Sequence, residues 1–181
     1  MKPTTYDDAL VSIYSMLVER SGLPKNLVIN GNSISGADVE KIITQTKRKS
    51  PKVTDVFMTF EFREIQSDDF GASPDGATTM DVIAPYGLFL KIYGERSHDL
   101  AQRMLATFKF PQVAMYLDDN GIRITNVGAI ESLNEFINYT RWERCDLEVD
   151  MLCWLTYDFE QNSNYDTVAE TFVKPLHIIN F

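Results

Sequence analysis

Thr140-Arg141-Trp142-Glu143-Arg144-Cys145-Asp146-Leu147-Glu148-Val149-Asp150-Met151-Leu152-Cys153-Trp154-Leu155-Thr156-Tyr157-Asp158-Phe159 is the run that decides the fold. Leu147, Val149, Met151, Cys153, Leu155 and Tyr157 stand at every second position, with Asp146, Glu148, Asp150, Leu152, Trp154 and Thr156 between them. Successive side chains of a strand point to opposite faces, so this period of two predicts one long strand over 140–159. The same alternation puts Cys145 and Cys153 on one face. Eight residues of strand hold them roughly 26 Å apart, far beyond the reach of a disulfide. They are expected to be free thiols in a core or an interface.

Upstream of this run, 80–93 reads as a second long strand, with an irregularity expected at Pro85 and a break at Gly94. Val56, Met58, Phe60 and Phe62 alternate with Phe57, Thr59, Glu61 and Arg63, the pattern of a half-buried strand. Residues 67–78 hold Asp68-Asp69, Pro74 and several small residues. At about a dozen residues this loop is long for a hairpin connection and is a candidate functional loop. Ser97 is placed as the cap of a helix over 98–108, with Leu100, Ala101, Met104, Leu105 and Phe108 on its apolar face. Beyond Pro111, residues 113–117 are expected to pair with 122–127 across Asn120-Gly121, a strong hairpin signal.

The N-terminal part opens with a helix over 5–20, capped by Thr4 or Thr5 with Asp7 and Asp8 as capping-box partners. Tyr6, Leu10, Ile13, Tyr14 and Leu17 share a face at helical spacing, and Gly22 with Pro24 ends the helix. Leu27-Val28-Ile29 is a short strand. In 35–49, Ser35 and Asp38 suit the cap of a short helix, and a basic loop follows over 47–52. There is no internal repeat and no low-complexity tract. The order predicts an α+β fold, a mainly antiparallel β-sheet flanked by two main helices, with one domain over 1–160 and a C-terminal arm over 161–181.

With 181 residues, 44% of them hydrophobic and 24% charged, the chain has ordinary globular composition and enough length for a core without staples. Its apolar runs are too short to span a bilayer, and the first residues carry acids rather than a signal sequence, so the expectation is a protein that stays in the cytosol where it is made. A net charge of −9 argues against a sequence-independent DNA-binding surface, which needs clustered cations. It does not prevent DNA from passing close by.

Motifs with chemistry are scarce. His98 falls in the first turn of a helix, where the dipole disfavours an imidazolium, and His177 lies in the tail; neither has a nucleophile pattern beside it. Gly31-Asn32-Ser33-Ile34-Ser35-Gly36 resembles a phosphate loop, but Ala37-Asp38 follow where Lys and then Ser or Thr are needed. Two distant cysteines and two distant histidines do not make metal-ligand spacing. The pairs Asp7-Asp8, Asp68-Asp69 and Asp118-Asp119 suit cap, loop and turn. No catalytic, cofactor-binding or metal-binding residue is assigned and no cofactor is expected. A carboxylate pair assembled in space would make the chain a small soluble enzyme. A third class is a monomeric binding module using the loop over 67–78.

Charge distribution says more. Residues 145–170 contain seven acids, Asp146, Glu148, Asp150, Asp158, Glu160, Asp166 and Glu170, and no Lys or Arg. Against them stands the basic run with Lys47, Arg48, Lys49 and Lys52. One reading is two solvated faces. The sharper one is a head-to-tail interface between copies, the kind of contact that closes into rings. Arg141 and Arg144 are further interface candidates, because a planar guanidinium pairs well with a neighbour's carboxylates, whereas Trp142 is expected to pack on its own core. The apolar end, Leu176-His177-Ile178-Ile179-Asn180-Phe181, either joins the core or docks on another subunit.

Leu90-Lys91-Ile92-Tyr93-Gly94 leading into a helix with Leu100, Ala101 and Met104 resembles the middle of phage neck-terminator proteins. Arg141-Trp142-Glu143-Arg144-Cys145-Asp146-Leu147-Glu148-Val149, a Trp-Glu-Arg run opening a long alternating strand, is similar to a later part of that family. The resemblance covers about residues 5–160, with 32–49 resembling an insertion. It implies a tail-terminator-like, non-enzymatic virion protein at the head–tail junction. Such a subunit forms a ring, commonly sixfold, on the last ring of the tail tube. The implied partners are other copies of itself, the tail tube protein, a head-completion or connector protein and the tail sheath, with DNA passing through the lumen without specific binding and no membrane. Other neck, head-completion or minor tail proteins are the nearest alternatives. The acidic face of the long strand is a candidate for the inner wall or for the interface.

Overall fold

Two long strands carry the sheet because their alternation runs on without interruption. The computed structural model describes residues 2–31, 56–65, 79–137 and 139–158. In it β3 (Thr79–Tyr93) and β6 (Thr140–Asp158) run antiparallel in unbroken register, from Thr79 opposite Asp158 to Tyr93 opposite Arg144. On the other edge of β3 lies β2 (Phe57–Glu64), antiparallel, and β1 (Val28–Asn30) adds to β2 in parallel. The free edge of β6 takes two strands in tandem: β4 (Ile122–Val127) opposite 149–153 and β5 (Glu131–Ile137) opposite 140–146. The mixed, mostly antiparallel sheet is the expected α+β architecture.

Among the described residues three α-helices cover one face. In α1 (Tyr6–Ser21) the Thr5 hydroxyl accepts the Asp8 amide at 3.1 Å and donates to the Asp8 carboxylate at 2.8 Å, and Gly22, left-handed at φ 71°, ends the helix. With α2 (Ser97–Phe108) and α3 (Pro111–Asp119) it encloses the core. Ile13, Leu17, Leu100, Met104, Val113 and Leu117 from the helices meet Phe60, Phe62, Leu88, Leu90, Val149 and Met151 from the sheet. Each such side chain, fully buried, contributes about 1.5–3 kcal/mol. Cys145 and Cys153 both lie in this core as free thiols.

Four expectations need correction. Residues 113–117 are not a strand. Pro111 stands at the start of α3, where its missing N–H costs nothing, and Val113 and Leu117 share the buried side at helical spacing. Asn120-Gly121 therefore joins a helix to β4, not two strands. Ser97 is the first residue of α2 rather than its cap; Arg96 holds the cap position, and the Ser97 hydroxyl is buried beneath the Cys145 thiol at 3.7 Å. Pro85 leaves the β3–β6 register intact. Its carbonyl accepts the Ile65 amide at 3.0 Å, so its N-side points toward the end of β2, and no β6 bond needs the missing donor. Strand β5 lay unread between two expected elements.

The stretches 35–49, 67–78 and 161–181 lie outside the described residues.

Candidate assembly surface

The sheet face turned away from the helices carries most of the residues of interest, because β6 alternates core residues with polar ones; of the described candidates Arg141 alone falls on the other face, beyond the end of the core. At one end Phe57, Tyr93 and Trp142 form a small second core: the Phe57 and Tyr93 rings stack at 4.7 Å and Trp142 meets Phe57 edge-on at 5.7 Å. Trp142 thus packs on its own chain, as expected, and joins the root of β6 to β2 and β3.

Beside this cluster Arg144 is saturated by its own chain. Its Nε and Nη2 donate to the two Asp146 oxygens at 2.8 Å each, and Nη1 donates to Glu135 Oε2 at 2.7 Å. The side chain is only 19% exposed. Burial disfavours its charge, but the hydrogen bonds to Asp146 and Glu135 outweigh that and push its pKa upward. Tyr93 is also shifted upward, first by burial and then by the neighbouring Glu135 carboxylate.

The remaining candidates spread along β6. Arg141 is exposed and donates through Nε to the Asn134 side-chain oxygen at 3.0 Å. Asp150 accepts from the Asn126 amide at 3.0 Å, while Glu148 is exposed and has no ionic partner among the described residues. The structure therefore joins Arg144 to Asp146 and leaves Arg141, Glu148 and Asp150 apart from them. Lys47, Arg48, Lys49, Lys52 and Phe181 lie outside the described residues. Elsewhere on this face Lys91 pairs with Glu61 at 2.9 Å, and the Arg63 guanidinium lies 4.4 Å above the Phe89 ring.

Because β3 ends opposite Arg144 and only the Gly94 amide reaches one residue further, to the Glu143 carbonyl, the first residues of β6, 140–142, pair with β5 alone and project as a two-stranded ribbon. Its apolar residues face water: Leu133 is 41%, Phe136 73% and Tyr139 103% exposed, the last at φ 63°. Sequence reasoning missed this ribbon and Glu135 with it. The alternation of 131–137 was the available signal, but Ser132 and Asn134 on one side and Glu131 and Glu135 on the other blur it.

Among the described residues no helix is long and apolar enough to cross a membrane. Comparison with curated proteins gives no match. A family model described as phage neck terminator protein matches residues 14–178, from inside α1 through β6 and onward. The chain belongs to the phage neck terminator family, whose place is the neck of the virion.

Proposed function

We propose that this neck protein acts as a ring, sixfold as such rings commonly are, that caps the tail tube, ends its polymerisation and joins it to the head connector. The observation that carries the reading is the projecting β5–β6 ribbon. Exposed apolar side chains on a protruding element, here Phe136 and Tyr139, mark a protein–protein contact. Family membership supplies the setting. Ring closure here is head-to-tail: the exposed Glu148 and the half-buried Asp150 of one copy meet basic residues of the next, Arg141 with Lys47, Arg48, Lys49 and Lys52. Asp146 and Arg144 stay with each other and stiffen the surface. Phe181 and the apolar end act as an arm onto a neighbouring subunit. A net charge of −9 suits a ring through which DNA slides without being gripped.

Native mass spectrometry of the purified chain, with and without tail tubes, tests the reading. A closed ring, or binding at tube ends that stops elongation, is the expected result. A monomer that ignores tube ends would contradict it.

A further inference from the structure

The edge of the sheet alongside β6 is interrupted between β4 and β5. Between β4 and β5 the chain leaves β6 for three residues, Gly128, Ala129 and Ile130, held by a single bond from the Gly128 amide to the Glu148 carbonyl at 2.8 Å. The gap opens a concavity of about 230 Å³ on the sheet face turned away from the helices. Phe89 and Ala129 bring apolar side chains to its wall, Leu90 and Leu147 line it although their side chains are buried in the core on the other face, and Glu131 and Glu148 stand at its rim. Two other charges in the wall are already satisfied: Lys91 by Glu61 and Asp146 by Arg144. Glu131 and Glu148 have no ionic partner among the described residues. The site thus asks for an aromatic ring accompanied by a cation. An apolar cavity of about 150 Å³ already admits benzene, so this one admits a single aromatic side chain.

The ribbon offers that combination. Phe136 and Arg141 are direct cross-strand neighbours, Tyr139 stands fully exposed at the turn, and Arg141 has no carboxylate partner among the described residues. The ribbon cannot fill the concavity of its own chain. From Ala129 to Tyr139 the edge runs about ten residues away, roughly 30 Å along the strand.

We propose that the β5–β6 ribbon of one copy inserts Tyr139 or Phe136 into the concavity at Ala129 of a second copy, with Arg141 between that copy's Glu131 and Glu148. The contact uses two different surfaces, so it propagates around a ring and does not stop at a dimer. It rests on the ring reading above and names the surfaces that close it.

The test mixes two single-cysteine variants, Tyr139→Cys and Ala129→Cys, with a short bismaleimide under assembling conditions, alone and on tube ends. Both native thiols are buried, so the introduced ones react. Covalent heterodimers in the mixture, and ladders from a chain carrying both substitutions, are expected. Phe136→Ser, at a largely exposed position, should keep the melting temperature and raise the concentration needed for assembly by about thirtyfold, the scale of losing an aromatic anchor. Rings that form without any 139–129 cross-link overturn the docking and leave the ring reading standing. A chain that assembles under neither condition overturns both.

Discussion

Glu135 and Arg144 are bonded at 2.7 Å although they are not opposite each other: Glu135 faces Trp142 in the register and Arg144 faces Leu133. Arg144 reaches diagonally across the β5–β6 pair and at the same time grips Asp146 on its own strand with both remaining arms. One guanidinium thus sets the ribbon's position against the sheet. Arg144→Ala leaves two partly buried carboxylates without their cation and should cost about 2 kcal/mol, less than for a fully buried pair. Arg144→Lys, which keeps the charge but loses the fork, should fall between. Urea midpoints measure this against Arg20→Ala, whose ion pair with Glu19 is exposed and whose loss should stay within about 0.5 kcal/mol. Equal midpoints for the Arg144 and Arg20 variants would remove the clasp from the account.

Alkaline pH should unfold the protein in a way its buried acids dictate. Burial pushes the Cys153 thiol up to about 12 from an ordinary 9.0, and Tyr86 and Tyr93 are shifted upward too, burial again the largest cause. In the unfolded chain the thiol loses its proton near 9 while the folded chain keeps it, so the unfolded state binds fewer protons and stability falls as pH rises. Below pH 9 these groups add no slope; the loss grows between 9 and 12, with the thiol leading and the tyrosines joining above 10. Cys153→Ala lowers stability at neutral pH through its cavity but should flatten the slope between pH 9 and 10. Chemical denaturation at stepped pH measures it, and an unchanged slope would contradict the assignment.

Gly121 should resist substitution. It sits at φ 76°, and a Cβ there would stand 2.6 Å from the Lys2 carbonyl oxygen and 2.8 Å from the Thr4 methyl. It also accepts the Trp154 amide at 2.8 Å, beside the Thr4–Leu155 bridge that ties the N-terminal segment to β6. Gly121→Ala combines a left-handed penalty of about 1–2 kcal/mol with a displaced N-terminal segment. In a chain of this size a loss of that order lowers the melting temperature by roughly 3–8 °C. Amide exchange at Thr4 and Thr156 should accelerate with it.

What could be read in advance follows from periodicity. β6 announces itself because its two faces differ in polarity for most of its length, and the α2 face from Leu100 to Phe108 does so at helical spacing. Residues 113–117 misled because Val113, Met115 and Leu117 satisfy a period of two, while only Val113 and Leu117 are buried and Met115 points to water at 67% exposure. The short segment cannot choose between the two periods; Pro111 ahead of it could, as a helix-starting residue. β5 escaped because an edge strand with little to bury has no apolar face to display. The interface candidates on β6 were placed on the correct strand, but pairing is a property of register. Asp146 was within reach of Arg144 on the strand itself, two residues on, whereas Glu135 required knowledge of β5.

Trp142→Ala should loosen the ribbon more than it harms the main core. The Phe57–Tyr93–Trp142 cluster is separate from the large core, and its tryptophan is the contribution of β6 at the point where β3 ends. Truncating a buried aromatic costs about 3–5 kcal/mol when its surroundings cannot collapse. Amide protection in 131–137 should drop by more than that in β3, and a uniform drop across both strands would mean the cluster is not a local anchor.

Charge exchange offers the sharpest reading of which surfaces meet. Arg141→Glu places a carboxylate where the neighbouring copy is proposed to present Glu131 and Glu148, and Glu148→Arg places a cation opposite the native Arg141. Each alone should weaken assembly, and the losses should shrink as ionic strength rises, since the Debye length falls from about 8 Å at 0.15 M to about 3 Å at 1 M. Both sites are exposed, so the fold should survive in each variant. Combined in one chain they restore opposite charges across every contact of the ring, and assembly should recover most of the way toward the native concentration dependence. Light scattering across a salt series gives all four curves of the cycle. Losses that simply add in the double variant mean that Arg141 and Glu148 do not meet across the interface.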